Sequence, residues 1–348
     1  MDFNEIVFLS GFVLLIGVML LIDIGLFHKK DHVISFKEAA AWTAVWIGVA
    51  LCFYLFIYFF AGLIHGVENI DDLISLNARF QHRLRLQGLS FEDGLVLYRH
   101  ALSLEYLTGY LIEKSLSVDN IFVMIMIFMA FNVEKKYYHR VLFYGILGAI
   151  VFRFIFIFTA SALIQRFHWV LLVFGAVLIF TGIKMFVQRN KEEKIDAENH
   201  PAVRFLSKHN LTTPDFYGHN FFVKTARGFL CTPLFVVLLV VEFSDIIFAF
   251  DSIPAIFAVS KDPFIVFFSN IFAILGLRSL FFMLERVMDK FRFLKTGLAV
   301  LLVFIGVKMF LPELFGIEIG IGASLLVIVG ILTVSILLSI LFPKDEKK

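Results

Sequence analysis

The fold and the function of this chain are decided by two stretches: EKSLSVDNIFV (residues 113–123) and VEFSDIIFAFDSIPAIFAV (residues 241–259). Each stretch places carboxylates inside a run that is otherwise apolar enough to lie in a bilayer. A charged side chain at the bilayer centre costs roughly 3 kcal/mol or more, so such residues usually face a protein interior and serve a function. We therefore expect the function to depend on the five acids Glu113, Asp119, Glu242, Asp245 and Asp251.

The composition predicts an all-α polytopic membrane protein that forms a single integral membrane domain. Hydrophobic residues make up 60% of the 348 positions, which is more apolar surface than a soluble domain of this size can bury. A membrane β-barrel would need short alternating segments, whereas the apolar runs here are long and continuous. The chain starts with the acidic sequence MDFNE, so the first apolar run is interpreted as a retained helix and not as a cleaved signal peptide.

Nine segments are long and apolar enough to cross a bilayer, which takes about 20 residues. The third and sixth exceed one straight span and carry the acids, so we expect them to be kinked or broken. The predicted spans are residues 5–27, 39–64, 101–131, 140–164, 168–188, 229–259, 263–284, 292–311 and 318–342.

The distribution of basic residues predicts the orientation. The odd-numbered connections and the C-terminal tail carry 20 of the 31 Lys and Arg residues, and the even-numbered connections carry 6. Because cytoplasmic loops are enriched in Lys and Arg, the N-terminus is predicted outside and the C-terminus in the cytoplasm of the inner membrane. The long connection 65–100 then faces outside and 189–228 faces the cytoplasm, and either one can pack as short helices on the membrane surface.

Helices three to five resemble helices six to eight. Three pairs of segments match in the same order, at offsets of 132, 125 and 124 residues. The matches align Glu113 with Asp245, Arg153 with Arg278 and Lys184 with Lys308. The paired segments are DNI (119–121) with DSI (251–253), YGILGAIVFRFIF (144–156) with SNIFAILGLRSLF (269–281), and FTGIKMF (180–186) with FIGVKMF (304–310).

The loop charges predict that the two three-helix units have opposite orientations. Such an inverted repeat is the architecture of many secondary transporters, which bind substrate near the midplane between the repeats. The first repeat covers residues 101–188 and the second covers 229–311. Two accessory helices in residues 1–64 and the last helix at 318–342 lie outside the repeat.

The acids predict a site built from oxygen ligands. Glu113 and Asp119 point about 240° apart on a regular helix, so they converge only if the helix is distorted between them. Ser115 and Ser117 can stabilise such a distortion, and Pro254 leaves the carbonyl of residue 250 unpaired beside Asp251. With Asn120, these groups form a candidate cluster of hard ligands.

The residue types that are missing from the two stretches narrow the kind of ligand. All ten histidines lie in connections or near helix ends, and no thiol accompanies the acids. Oxygen-only sites suit Mg²⁺, Ca²⁺ and Mn²⁺, whereas Zn²⁺ and Cu⁺ usually recruit His or Cys. Mn²⁺ or another hard divalent cation is therefore favoured if a metal binds here.

Several of these residues also have structural interpretations. Glu113 with Lys114, or Asp245 with Arg278, can be ion pairs that tie helices together. Arg153 and Arg278 are interpreted as structural counter-charges. Other roles stay open: Asp23 is a vestibule ligand or an interfacial residue, Glu242 is a ligand, a proton carrier or the partner of a base, and Glu105 is expected to be solvated.

Enzymatic activity is not expected. Two membrane aspartates also occur in intramembrane aspartyl proteases, but the sequence lacks their Gly-x-Gly-Asp element. The long connections contain no nucleotide-binding motif. No cofactor and no nucleic-acid partner is expected, and the sequence does not indicate an oligomeric state.

The acidic stretches, residues 144–156, FTGIKM, SNIFAILGLR and FIGVKM together resemble the TerC/Alx family of bacterial integral membrane proteins. The resemblance runs from about residue 104 to residue 310, and IDIG (22–25) is similar to the family's first-helix aspartate motif, which favours a ligand role for Asp23. It implies Mn²⁺ export that prevents manganese overload, a label of tellurium resistance, and a link to alkaline pH. It also implies that Asp119 and Asp251 are metal ligands.

The leading hypothesis is a cytoplasmic-membrane exporter of Mn²⁺. The metal would bind between Glu113, Asp119, Asp245 and Asp251, aided by Asn120, with alternating access and with protons as plausible counter-ions because clustered carboxylates raise one another's pKa. One alternative is export of another small solute, such as an amino acid. The other is a non-transporting membrane partner in metal loading or in resistance to tellurite or envelope stress.

Overall fold

The computed structural model describes most of the chain as helix. The described residues are 3–27, 34–167, 169–188, 203–204, 212–213, 217–225, 228–286 and 293–342, without the side chains of residues 23–27 and 225. The helices are α1 (Phe3–Phe27), α2 (Phe36–Phe60), α3 (Gly62–His65), α4 (Ile70–Phe80), α5 (Phe91–Ala130), α6 (Lys135–Arg166), α7 (Trp169–Gln188), α8 (Pro233–Phe257), α9 (Pro263–Leu275), α10 (Leu277–Leu284), α11 (Leu294–Phe315) and α12 (Ile321–Leu341).

The polytopic helical fold predicted from the sequence is confirmed. In the described part of the chain, seven helices are long and apolar enough to span a membrane, namely α1, α2, α6, α7, α8, α11 and α12. The bent pair α9–α10 makes an eighth span if it crosses as one unit. The remaining predicted span lies in α5, which charged residues interrupt along its length.

Helix α5 is the central element of the bundle. Its 40 residues extend about 60 Å, twice the thickness of the hydrocarbon core. It packs against α2, α8 and α9, and this enclosure buries polar side chains such as Glu105, Glu113 and Asn120 away from lipid. The neighbouring α1, α2 and α9 meet in a core of phenylalanine rings, with the Phe12 and Phe268 centroids 4.3 Å apart.

The sequence predicts a kink or a break in the third and sixth spans, and the structure has no break in either of them. α5 and α8 are each one continuous helix, and Pro254 lies inside α8 near its end. The seventh predicted span is divided instead, with a bend of 42° between α9 and α10 at Gly276. A Cβ on Gly276 would come within 2.8 Å of Lys114 Nζ, and Lys114 donates to the Ala273 carbonyl at 3.2 Å, as lysine does at helix C-termini.

The two long connections differ from each other. The connection over residues 65–100 begins at the end of α3 and contains α4 and the first turns of α5, so it does fold as short helices. The connection over residues 189–228 ends, in its described part, in an antiparallel hairpin of β1 (Phe222–Thr225) and β2 (Gly228–Cys231). Strand β2 occupies the first residues of the predicted sixth span, whose helix starts only at Pro233. The fold is therefore nearly, but not entirely, helical.

Helices α7 and α11, which carry the matching FTGIKMF and FIGVKMF segments, pack through glycines. A Cβ on Gly182 would lie 2.8 Å from the Ala299 carbonyl oxygen, and one on Gly306 would lie 2.8 Å from the Gly175 carbonyl oxygen. Glycines allow membrane helices to approach this closely. The 124-residue offset that aligns Gly182 with Gly306 also aligns Gly175 with Ala299. The contact of Gly182 with Ala299 therefore corresponds, after α7 and α11 are exchanged, to the contact of Gly306 with Gly175. These contacts make α7 and α11 antiparallel.

Candidate functional site

Arg153 joins two of the predicted acids at the centre of the bundle. From α6 its guanidinium donates to Asp245 of α8, Nε to Oδ2 at 3.2 Å and Nη2 to Oδ1 at 3.0 Å. Its Nη1 donates to Glu113 of α5 and to Asn270 Oδ1 of α9, the latter at 3.1 Å. Asn270 Nδ2 closes the ring by donating to Glu113 Oε2 at 3.1 Å.

We call Glu113, Arg153, Asp245 and Asn270 the central network. All four of its residues are buried, with at most 3% of their surface exposed. Arg is suited to such a position because its planar fork of donors can serve several acceptors and it stays protonated. Two carboxylates therefore share the guanidinium of Arg153, and two further cations lie nearby, because Lys114 interacts with Glu113 and Arg278 lines a cavity together with Asp245.

The acids are spread along the bundle and do not converge on one point. A Cβ on Gly109 would contact Ile256 Cγ2 at 3.0 Å, and further along α5 Glu113 shares Arg153 with Asp245. Residue numbers rise along α5 while those of its partners on α8 fall, so the two helices are antiparallel. Asp119 lies six residues beyond Glu113, about 9 Å toward the predicted cytoplasmic end. Asp251 lies six residues beyond Asp245, about 9 Å toward the opposite end.

Two further acids flank the central network on α8. The Glu242 carboxylate lies against α6, where a Cβ on Gly148 would overlap with it, and its Oε2 has no hydrogen-bond partner among the described residues. Asp251 Oδ1 accepts from Thr181 Oγ1 of α7 at 3.0 Å. Glu242 precedes Asp245 on α8, and Asp119 follows Glu113 on α5. Because α5 and α8 are antiparallel, Glu242 and Asp119 lie on the same side of the central network.

The remaining predicted residues surround these acids. Asn120 is 3% exposed, and its Nδ2 has no partner in the part of the chain that the structure describes. Arg278 is buried on α10 and lines a cavity of about 10 Å³ together with Asp245. Lys114 bonds to Ala273. Asp23 belongs to α1, but its side chain lies outside the described residues.

No metal centre is preformed among the described side chains. Within those ranges, no three His, Cys, Asp or Glu residues are grouped closely enough to hold a metal ion. The continuous course of α5 explains this, because convergence of Glu113 and Asp119 required a distorted helix. The arrangement is instead a series: Asp119 and Glu242, then the central network, then Asp251.

A second buried cluster, which the sequence did not predict, lies near the helix ends at the predicted outer side of the bundle. His65 of α3 bonds to Glu5 Oε1 through Nδ1 and to Asp262 Oδ2 through Nε2, both at 2.9 Å. Burial alone would lower the pKa of His65, but Asp262 and Glu5 outweigh it and raise the pKa to about 9. The same ion pair lowers the pKa of Asp262 despite its burial.

Glu105 belongs to the same end and is not solvated, contrary to expectation. It is 2% exposed, and its carboxylate accepts from Ser260 Oγ at 2.5 Å and bonds to His82 Nδ1 at 2.9 Å. Glu105, Asp262 and the two histidines are far apart in the sequence, so no local spacing signals their contact. The one available signal was the presence of titratable residues at the ends of apolar runs.

Comparisons with known proteins agree on a family. The model of the integral membrane protein TerC family matches residues 98–347. An uncharacterized membrane protein of Myxococcus xanthus, STKORF319, is 45% identical over 95% of this chain and 91% of its own length. Proteins of Salmonella typhi and Escherichia coli K12, each named "Putative membrane-bound redox modulator Alx", are 44% and 43% identical over 95% of this chain and over 92% and 93% of their own lengths. No solved structure matches.

Proposed function

Because the chain belongs to the TerC family of integral membrane proteins, we propose that it exports a divalent metal ion, with Mn²⁺ as the favoured substrate, across the cytoplasmic membrane. The observation that carries this proposal is the series of carboxylates along α5 and α8, on both sides of the central network. All the acids in this series supply hard oxygen ligands, which suit Mn²⁺.

The series gives each acid a place in the proposed path. A cation from the cytoplasm meets Asp119 and Glu242 first, where Glu242 Oε2 is available and Asn120 adds an amide oxygen. It then reaches the central network, where it competes with Arg153 for Glu113 and Asp245. On the outer side Asp251, oriented by Thr181, receives it.

Alternating access would follow from movement of the two repeats. The antiparallel, exchangeable contacts of α7 with α11 support an inverted repeat, and the predicted orientation places Asp251 toward the outside. Arg153 would close the path when it holds both acids and open it when a cation replaces it on one of them. Protons can move in the opposite direction on carboxylates that the metal leaves.

Ion flux in proteoliposomes tests this function. Purified wild-type protein is expected to move Mn²⁺ faster than Mg²⁺, Ca²⁺ or Zn²⁺, and Asp119→Asn and Asp251→Asn are each expected to reduce that flux at least ten-fold. Glu134→Gln is the matched control, because Glu134 is exposed and pairs with Lys136. Equal Mn²⁺ flux in wild type and both variants would contradict the site.

The same preparation distinguishes the alternative functions. Flux of an amino acid without flux of any metal would favour export of another solute. Absence of all flux, together with co-purification of a stable partner protein, would favour a non-transporting role in metal loading or stress resistance.

A further inference from the structure

The repeat within the chain gives the central network a counterpart. The 125-residue offset that aligns Arg153 with Arg278 also aligns Gly145 with Asn270. Within the central network, Arg153 and Asn270 bond to each other, and both bond to Glu113. The repeat therefore predicts that a corresponding group of residues surrounds the acid that matches Glu113.

That corresponding group is present on the other side of the network. Arg278, Gly145 and Asp245 all line the cavity of about 10 Å³, which lies between α5, α6, α8 and α10. Arg278 is 2% exposed, so its charge is buried close to Asp245 as the charge of Arg153 is buried close to Glu113. A glycine stands where the first group has the amide of Asn270, and the space left is about that of one water molecule. Arg278 and Asp245 therefore face a common free space.

The two arginines differ in the helices that carry them. Helix α6 runs without a break through Val151, which matches Gly276, whereas α9 ends and α10 begins at Gly276 with a bend of 42°. Arg278 follows this bend by two residues, so a change in the bend moves its side chain. Gly276 also lies against Lys114, the neighbour of Glu113 on α5. The bend therefore lies next to Arg278 and to the part of α5 that carries the first acid.

The bonds of Arg153 connect the two repeats unequally. Its contact with Glu113 stays within the first repeat, whereas its bidentate contact with Asp245 crosses to the second. Two inverted repeats that rock against each other around a fixed site can exchange their conformations between the two facing states. Such an exchange converts the crossing contact of Arg153 with Asp245 into a crossing contact of Arg278 with Glu113.

On the basis of the transport function proposed above, we propose that Arg278 is a second gating residue, which binds Glu113 in the opposite facing state while Arg153 releases Asp245. A buried carboxylate that loses its only cation is costly, and this exchange leaves a guanidinium beside the acids in both states. The metal ion competes for the acids during the exchange, when neither arginine holds both. A change of the bend at Gly276 supplies the movement of Arg278.

Distances between spin labels test the exchange in the full chain. Cys52 and Cys231 are first replaced by serine. Labels are then attached to Arg166→Cys and Leu314→Cys, at exposed positions near the predicted outer ends of α6 and α11. Because one label lies on each repeat, the distance between them reports the rocking of the repeats. It is measured by double electron–electron resonance in lipid nanodiscs.

Lysine variants weaken each facing state in turn, because lysine keeps the charge but cannot reproduce the bidentate fork of arginine. Arg153→Lys is expected to increase the population of a second label distance several-fold. Addition of Arg278→Lys is expected to reverse this shift, since it weakens the state that Arg153→Lys favours. Addition of Arg85→Lys, at an exposed position, is the matched control and is expected to leave the shift in place.

A purely structural role of Arg278 predicts a different result. It would lower the thermal stability of the double variant without restoring the label distances. The absence of a shift in Arg153→Lys, or of its reversal in the double variant, overturns the proposal. Mn²⁺ flux is measured separately. Reversal without Mn²⁺ flux would retain the exchange and reject Mn²⁺ export, whereas Mn²⁺ flux without reversal would retain export and reject the exchange.

Discussion

Arg153 donates to both carboxylate oxygens of Asp245, from Nε at 3.2 Å and from Nη2 at 3.0 Å, in the buried centre of the bundle. This bidentate contact joins α6 to α8, and the additional bond to Glu113 brings in α5. One guanidinium therefore connects the consecutive helices α5 and α6 to α8, where Asp245 lies 92 residues further along the chain than Arg153. The relationship makes Arg153 both a structural link and the proposed barrier in the ion path.

Removal of the Arg153 charge is expected to destabilise the protein strongly. Arg153→Gln leaves two buried carboxylates facing each other, and breaking a buried ion pair in this way costs about 3–5 kcal/mol. The double variant Arg153→Gln/Asp245→Asn removes one of those charges and is expected to recover part of the loss. Unfolding in detergent micelles measures both, with Arg166→Gln as control. Wild-type stability in Arg153→Gln would contradict the role of the central network.

A methyl group at Gly148 is expected to reduce transport, because its Cβ would overlap with the Glu242 carboxylate. Gly145→Ala is the matched control one turn earlier on α6, where the new Cβ would meet Val241 Cγ1 at an ordinary 3.4 Å. Mn²⁺ flux in proteoliposomes is expected to fall several-fold in Gly148→Ala and to stay near wild type in Gly145→Ala. Equal flux in the two variants would remove Glu242 from the proposed path.

Loss of the Thr181 hydroxyl is expected to impair Asp251, the carboxylate on the predicted outer side. Thr181→Val keeps the shape of the side chain but removes the donor that orients Asp251 at 3.0 Å. Mn²⁺ flux is expected to fall a few-fold, whereas Thr181→Ser, which keeps the hydroxyl, is expected to stay near wild type. An equal effect of both changes would indicate that packing, and not the hydrogen bond, is responsible.

Stability is expected to fall as the pH rises through about 9. The folded protein raises the pKa of His65 from 6.5 to about 9, so the ion pairs with Asp262 and Glu5 contribute fully below pH 6.5 and are lost as His65 deprotonates. The shift corresponds to on the order of 3 kcal/mol. Thermal unfolding between pH 6 and pH 10 measures this loss. His65→Gln is expected to flatten the profile, and the control His100→Gln should leave it unchanged.

The glycines of α7 and α11 are expected to respond alike to substitution. Gly182→Ala and Gly306→Ala each place a Cβ 2.8 Å from a backbone oxygen of the other helix, which cannot move away cheaply. Each is expected to destabilise the protein by about 1–3 kcal/mol. Gly330→Ala on α12 is the control, because nothing lies within 4 Å of its Cβ, and its stability should be unchanged or higher. A large difference between the first two would argue against a symmetrical contact.

The sequence was sufficient for the membrane class and for most spans because long apolar runs can be buried in few other ways. It also identified Glu113, Asp245 and Arg153, since charges in such runs are conspicuous. It did not predict that Arg153 serves both acids, because the ion pairs that the sequence suggested were Glu113 with Lys114 and Asp245 with Arg278. The choice between two arginines depends on three-dimensional packing, which the spacing of residues does not determine.

Other features depended on contacts between distant segments. The bend at Gly276 has no local signal in the sequence, because the side chains that approach this glycine, Lys114 and Trp46, come from other helices, whereas Pro254 indicates a distortion in α8. Asn270 was missed as a member of the central network because a single amide in an apolar run gives no pattern. The pairing of His65 with Asp262 joins residues 197 positions apart, so no local motif indicates it.

The contact between α7 and α11 has the form of an isologous interface, in which each partner offers the other the same surface. Such surfaces normally join two copies of one chain. Here α7 and α11 belong to one polypeptide and run antiparallel, so the surface is present twice and the contact is made in two separate places. A substitution at Gly182 or at Gly306 therefore alters one of these places and leaves the other intact, which is impossible when two identical chains meet.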